Sequence, residues 1–521
     1  MIQLTGSELS IDQVVAVARR GERIAPLSDA IRARMQKSRE WVAETVRRGE
    51  RVIYGVNTGF GPLARRRIAP EQASTLSRNV ILNCCSGVGP PLPADLVRAM
   101  MVIRANTLAR GCSGVRPELA ESYIGMLNAG VTPYVPAKGS LGASGDLAPL
   151  AHIAAVLTRD PGGGNGGYSG RAWCGDELLS GAEAMSRVGL PRLVPEAKEG
   201  LALTNGTTFM VAAGALATHD GERLLEHALI AAALSLEGLR ALSEAFHPAL
   251  NEANAQPGQV EVAARLRALV EGSHLIDSSP DRVQDAYSLR CTPQVLGPIG
   301  DAIGFTRSRF SSVLNGIDDN PIIFPELRGS PGGAALSGGN FHGQGPAMWL
   351  DFLAIAVAEI GSLAERRVFR LLTPELNDGL PSMLAPTGGL DSGLMVPQYT
   401  AAALVSENKT LAHPDSVDSI PSSGSQEDHV SMGANAARHA LEIVDNVRYI
   451  LAIELLTAAQ AVELRPKGPE RLGRGTTAAW QAVRERVAFL EHDRELAPEI
   501  ESLADLIRSG QLLEAVRRAV G

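Results

Sequence analysis

The chain has 521 residues, 45% of them hydrophobic and only 4% aromatic, with a formal net charge of −8. Acids and bases are interspersed, which argues against a nucleic-acid partner, and no basic amphipathic stretch points to a membrane surface. No window holds about 18 uninterrupted apolar residues, and no basic-then-apolar leader opens the sequence. The five cysteines (Cys84, Cys85, Cys112, Cys174, Cys291) form no Cys-x-x-Cys pair, so the expectation is a soluble, reduced, cytoplasmic protein with no disulfide framework and no metal.

Residues 1 to about 200 alternate short helical patterns with Gly/Pro-rich loops. One such loop is Gly87-Val88-Gly89-Pro90-Pro91 and another runs from Asp160 to Gly167, with a short hairpin expected after it, from Tyr168 to Leu179. From about 208 to 245 the pattern turns helical, with Ala, Leu and Glu at three- and four-residue spacing and no proline before Pro248. Similar stretches run from about Ala347 to Leu372 and from Gly433 to Leu464. Helices of that length exceed the usual mean of about 11–12 residues and predict a mainly α protein built on a bundle of long helices. The pattern divides the chain into a loop-rich region, 1–200, and a long-helix region, 201–521. Some helix faces are too apolar for solvent, so association between chains is expected.

The most informative run is Lys138-Gly139-Ser140-Leu141-Gly142-Ala143-Ser144-Gly145-Asp146-Leu147-Ala148-Pro149. Glycine at 145 lets its nitrogen approach the Ala143 carbonyl carbon in a strained turn closed to other residues. Ring closure and loss of the Ser144 hydroxyl would leave an exocyclic methylidene, an electrophile no ordinary side chain supplies. Ala-Ser-Gly is otherwise a common loop tripeptide, and this one could be a turn before a helix N-cap. A serine-hydrolase elbow is excluded because Asp146 stands where glycine is required. A phosphate-binding loop is excluded because no Gly-Lys-Ser/Thr follows.

Other segments join this one: Tyr54-Gly55-Val56-Asn57-Thr58-Gly59-Phe60-Gly61, Leu203-Thr204-Asn205-Gly206-Thr207, Gln284-Asp285-Ala286-Tyr287-Ser288-Leu289-Arg290-Cys291, Asp319-Asn320-Pro321, Gly338-Gly339-Asn340-Phe341-His342-Gly343 and Gln426-Glu427-Asp428-His429. In order and spacing, from about residue 5 to the C-terminus, the chain resembles the histidine/phenylalanine/tyrosine ammonia-lyase and aminomutase family. That resemblance implies the long-helix fold of the ammonia-lyase, fumarase/aspartase-like type. It implies a homotetramer whose active sites are built from three chains. It also implies 4-methylidene-imidazol-5-one (MIO), formed from Ala143, Ser144 and Gly145, and an aromatic amino acid as substrate.

Loss of ammonia from an α-amino acid meets two obstacles: the amine is a poor leaving group and the β-proton is barely acidic. The chemistry therefore calls for an electrophile, a base and a cation that holds the carboxylate. By resemblance Tyr54 is the base, on a loop whose Gly55, Gly59 and Gly61 suit a lid, with Gly61 beside the substrate. Arg290 is the carboxylate clamp, its planar fork suited to bidentate pairing. Gln284, Tyr287 and Arg290 are spaced at i, i+3 and share one face if helical. The resemblance also implies that Gln284 and Tyr287 order the site, that Asn205 donates to the ring oxygen or the carboxylate, and that Phe341 packs on the cofactor. Glu427 would receive the amine's proton or contact a polar ring; a helix-start acid is the plain alternative.

At the position of the substrate-selectivity pair this chain has Asn83-Cys84. Histidine-specific members usually show Ser-His, tyrosine-specific ones His-Leu and phenylalanine-specific ones Phe-Leu. Ala286 leans towards tyrosine enzymes and Glu427 towards histidine enzymes. The expectation is an ammonia-lyase acting on tyrosine or histidine and forming the α,β-unsaturated arylacrylate. A 2,3-aminomutase and a catalytically silent binding protein are the alternatives.

Overall fold

Long helices dominate the computed structural model, which describes residues 1–162 and 167–521. Four of them exceed twenty residues: Thr208–Gly238, Thr292–Val313, Gln344–Leu372 and Gly433–Glu463. Three coincide with the stretches read from periodicity. The first stops at Gly238 rather than near 245, because Arg240 turns left-handed at φ +51° and Ser243–Phe246 forms a separate 3-10 turn. Thr292–Val313 was not singled out by its pattern, which Gly297, Pro298, Gly300 and Gly304 interrupt. An internal proline costs about 3 kcal/mol. Leu296, Ile299, Ile303 and Phe310 are all buried on this helix, and each contributes about 1.5–3 kcal/mol, enough to outweigh it.

The chain forms two compact units, each assembled from separate stretches of sequence. The first comprises Met1–His219, Thr306–Asp351 and Pro414–Arg438. Its helix Leu147–Leu157 is apolar apart from His152 and buried throughout from Ala148, as expected of a helix enclosed by protein. It packs against Ala73–Cys84 and Glu199–Thr204. The predicted hairpin is present: Arg171–Cys174 pairs antiparallel with Glu177–Ser180 across a two-residue Gly175-Asp176 turn, Gly175 having φ +63°. Val131–Pro133 adds a third strand to it. The Asp160–Gly167 loop lies partly outside the described residues. Val88–Pro91, read as a loop, is instead a short exposed strand paired with Pro136–Lys138. Prolines 90 and 91 donate no hydrogen bond, so the pairing stays two-stranded.

The second unit comprises Asp220–Phe305, Phe352–His413 and His439–Gly521. Its core carries a fully buried ion pair, Arg367 with Glu454, to which Ser235 Oγ donates at 2.9 Å. Arg465 donates through Nε and Nη2 to the Gly238 carbonyl at 2.9 and 2.8 Å, satisfying the end of helix Thr208–Gly238. Helix Gln344–Leu372 is long and apolar enough to cross a membrane by length and composition alone, but 61% of its most apolar window is buried within the protein. All five cysteines are free. Among the described residues no cluster of His, Cys, Asp and Glu could hold a metal ion.

Candidate active site

Helix packing in the first unit brings two helix ends to one place. Ala73–Cys84 ends on Asn83 and Cys84, and Leu147–Leu157 begins just after Ala143-Ser144-Gly145. The tripeptide sits in a tight turn. Gly142 has φ +77° and Gly145 has φ +76°. A Cβ on Gly145 would stand 2.2 Å from the Gly206 carbonyl oxygen, so no side chain fits there. Gly206, at φ +139°, pairs its backbone with Gly145 and accepts from Asp146 N at 2.6 Å. The Asn205-Gly206 step is therefore bridged through its backbone to the tripeptide and is not merely a turn.

Two carboxylates meet the N-terminus of helix Thr208–Gly238. Asp146 Oδ2 accepts from Met210 N at 3.0 Å, and Asp318 Oδ2 accepts from Thr207 N at 2.6 Å. The helix dipole favours negative charge at that end. Asp146 is wholly buried, however, and desolvation pushes its carboxyl up to about 7 in spite of the donors from Met210 and Ser140. Asp318 also pairs with the buried Arg104 at 3.1 Å. Arg104 in turn donates to the carbonyls of Ala202 and Asn205, which fixes the backbone beneath Asn205.

Ser144 is contacted from two sides. Its hydroxyl donates to Glu427 Oε1 at 2.8 Å. With the Asn205 amide oriented to satisfy both of its ends, Nδ2 donates to the Ser144 carbonyl oxygen at 2.6 Å and Oδ1 accepts from Asn320 N at 3.2 Å. Asn205 is 3% exposed. A buried donor held on that carbonyl stabilises negative charge on its oxygen, the arrangement of an oxyanion hole. The Asp319-Asn320-Pro321 motif thus serves the site through Asn320 N. Asp319 is anchored in a fully buried pair with Lys198 at 2.7 Å.

Asn83, Cys84, Ala143, Ser144, Gly145 and Glu427 line one cavity of about 200 Å3. Its other walls combine Ser86, Ser140 and Ser422 with Leu141, Leu147 and Ala148, so polar and apolar groups share it. Burial and, secondarily, the Glu427 charge push the Cys84 thiol up to about 11; burial pushes Cys85 up to about 12. At neutral pH Cys84 therefore presents an S–H, a weak donor, and not a nucleophilic thiolate.

Tyr54 and Gly61 form a second group: Gly61 N donates to Tyr54 Oη at 3.2 Å, and Phe60 lies edge-on to the Tyr54 ring with centroids 6.4 Å apart. Phe341 is partly buried in the turn before helix Gln344–Leu372 and, among the described residues, is not in the cavity lining. Gln284, Tyr287 and Arg290 belong to the second unit. There Tyr287–Arg290 is a single helical turn, the Arg290 guanidinium lies 4.6 Å over the Tyr287 ring, and Tyr287 is 71% exposed. Gln284 is exposed as well. Ser422, Ser423, Asp318 and Ser140 touch the site yet were not picked out from sequence. Only Ser140, inside the quoted tripeptide run, offered a signal.

A family model described as aromatic amino acid lyase matches residues 9–485. The chain belongs to this family. It is 50% identical to the histidine ammonia-lyase of Symbiobacterium thermophilum over 99% of this chain and 98% of that one. Among solved structures it is similar to the histidine ammonia-lyase of Trypanosoma cruzi, at 38% identity and TM-score 0.89, over 100% and 96% of the two chains. It is also similar to the tyrosine aminomutase of Streptomyces globisporus, at 35% identity and TM-score 0.90, over 99% and 98%. The fold is that of the ammonia-lyases, and the protein is a carbon–nitrogen lyase.

Proposed function

We propose that this lyase eliminates ammonia from L-histidine to give the imidazolyl acrylate, using MIO formed from Ala143, Ser144 and Gly145. The observation that carries the reading is the setting of Ser144: hydroxyl on Glu427 Oε1 at 2.8 Å, carbonyl under the Asn205 amide at 2.6 Å. The residues present fit the group. Gly145 sits where no side chain could, and the carbonyl that would become the ring oxygen already has its donor. MIO supplies an electrophilic carbon that makes the substrate amine a better leaving group. Tyr54 takes the β-proton, and the Gly61 N–H on its oxygen stabilises negative charge there. Glu427 handles the proton of the departing amine, and Asn83 and Cys84 face the ring. Arg290 holds the carboxylate.

Histidine is favoured over tyrosine because the two histidine ammonia-lyases are 50% and 38% identical to this chain and the tyrosine aminomutase 35%. The Glu427 carboxylate and the Asn83 amide in the cavity wall also suit an imidazole. Gln284, Tyr287, Arg290 and Phe341 are assigned to sites completed by neighbouring copies in a homotetramer. Exposed Met348, Phe352 and Ile355 on helix Gln344–Leu372 supply an apolar face for such an assembly. Product analysis with L-histidine, L-tyrosine and L-phenylalanine tests the reading. Acrylate and ammonia from L-histidine, at a kcat/KM at least about tenfold above the other two, are expected. A β-amino acid product, or a preference for tyrosine, would overturn it in favour of an aminomutase or a tyrosine enzyme.

A further inference from the structure

Glu427 does not stand free in the cavity. It closes a small hairpin in which Ser422 N donates to the Glu427 carbonyl at 2.9 Å. Both serines at the start of that hairpin turn back on its carboxylate: Ser422 Oγ donates to Oε2 at 3.0 Å and Ser423 Oγ at 2.9 Å. Oε2 is thereby saturated, and Oε1 alone faces Ser144. The turn between them is conformationally unusual. Ser423, Gly424 and Ser425 have φ of +50°, +61° and +66°, three left-handed residues in succession, of which only the glycine is at ease. Ser423 holds that conformation where glycine would relax the backbone, and its hydroxyl is spent on the Glu427 carboxylate. The same turn lies against the Tyr54 loop: Pro62 Cγ is 3.9 Å from where a Gly424 Cβ would stand, and the adjoining Gly61 holds the Tyr54 hydroxyl.

We propose that Ser422 and Ser423 are positioning residues, which clamp one oxygen of Glu427 so that the other points at the reacting centre. The proposal rests on the reading of Glu427 as an active-site acid–base group. The clamp acts through orientation: an unheld carboxylate would rotate, sharing its charge between the cavity and the serines' side.

Ser422→Ala, Ser423→Gly and Ser422→Thr test it, each made in the wild-type protein and in Glu427→Ala. Loss of one hydrogen bond to a carboxylate is expected to lower kcat by about tenfold, with KM within about threefold because the cavity walls are retained. Ser423→Gly separates the clamp from stability: it removes the hydroxyl and relieves the left-handed backbone, so its urea midpoint should stay or rise while kcat falls. Ser422 is extended, at φ −138°, so Ser422→Thr keeps the hydroxyl without strain and should restore turnover to within about threefold of wild type. In the Glu427→Ala background the same changes should be silent, because nothing is left to clamp. Each variant should fall two waters short of the mass of its own sequence, as wild type does, which excludes a defect in maturation. Equal losses in both backgrounds would overturn the proposal, as would an unchanged kcat in Ser423→Gly alongside a large loss in Glu427→Ala. A silent Glu427→Ala would instead remove the reading of Glu427 on which it rests.

Discussion

Gly145→Ala is the sharpest perturbation of the tripeptide, because the substitution adds one methyl group and nothing else. Gly145 has φ +76°, where a Cβ costs about 1–2 kcal/mol. That Cβ would also lie 2.2 Å from Gly206 O and 2.4 Å from Gly206 C. These are backbone atoms pinned by the hydrogen bonds of Asp146 N and by Arg104 beneath Asn205, so no rotamer change relieves the contact. Overpacking of this kind costs about 1–3 kcal/mol. The total, about 2–5 kcal/mol, is a large share of the 5–15 kcal/mol typical of a folded protein. Urea unfolding at neutral pH should show that loss, and the surviving folded protein should keep its full, undehydrated mass and make no product. A Gly145→Ala protein within about 1 kcal/mol of wild type, dehydrated and active, would refute the claim that the turn requires glycine.

Tyr54→Phe should fold and bind L-histidine normally but lose turnover, since only the oxygen that accepts from Gly61 N is removed; a kcat within about threefold of wild type would show that Tyr54 is not the base. Asn205→Ala removes the donor 2.6 Å from the Ser144 carbonyl, and steady-state kinetics should show a kcat lower by about 10²–10³. Asp146 holds its proton up to about pH 7 in the folded protein against 3.8 for an ordinary aspartate. The native state then binds more protons than the unfolded state across that window, so this group's contribution is full below pH 4 and lost as pH rises through 7. Asp146→Asn cannot ionise, so the stability of the variant relative to wild type should rise with pH over that range; a constant difference in urea midpoint would count against a buried, proton-holding Asp146.

How far the sequence reached depended on the range of the interaction. Periodicity located Thr208–Gly238, Gln344–Leu372 and Gly433–Glu463 because a long run of Ala and Leu without proline has few other folded solutions. It passed over Thr292–Val313, where local propensity opposes the helix and burial decides. The tripeptide was legible because its chemistry is local to three residues. The hairpin that aims Glu427 at Ser144 was not, because those residues are 283 positions apart and the turn is left-handed at two serines. Asp318 was hidden for the same reason: its role as a cap for the helix after Thr207 appears only once residues 111 apart meet. Gly206 was readable as a turn glycine, but its pairing with Gly145 needed the fold.

In the proposed reaction the chain makes its own electrophile from Ala143, Ser144 and Gly145. Intact-mass spectrometry of the purified, active protein tests this most directly. The mass should lie two waters below that of the sequence, with Ser144→Ala retaining at least one of those waters and nearly no activity. A preparation that turns over L-histidine at the unmodified mass would contradict it.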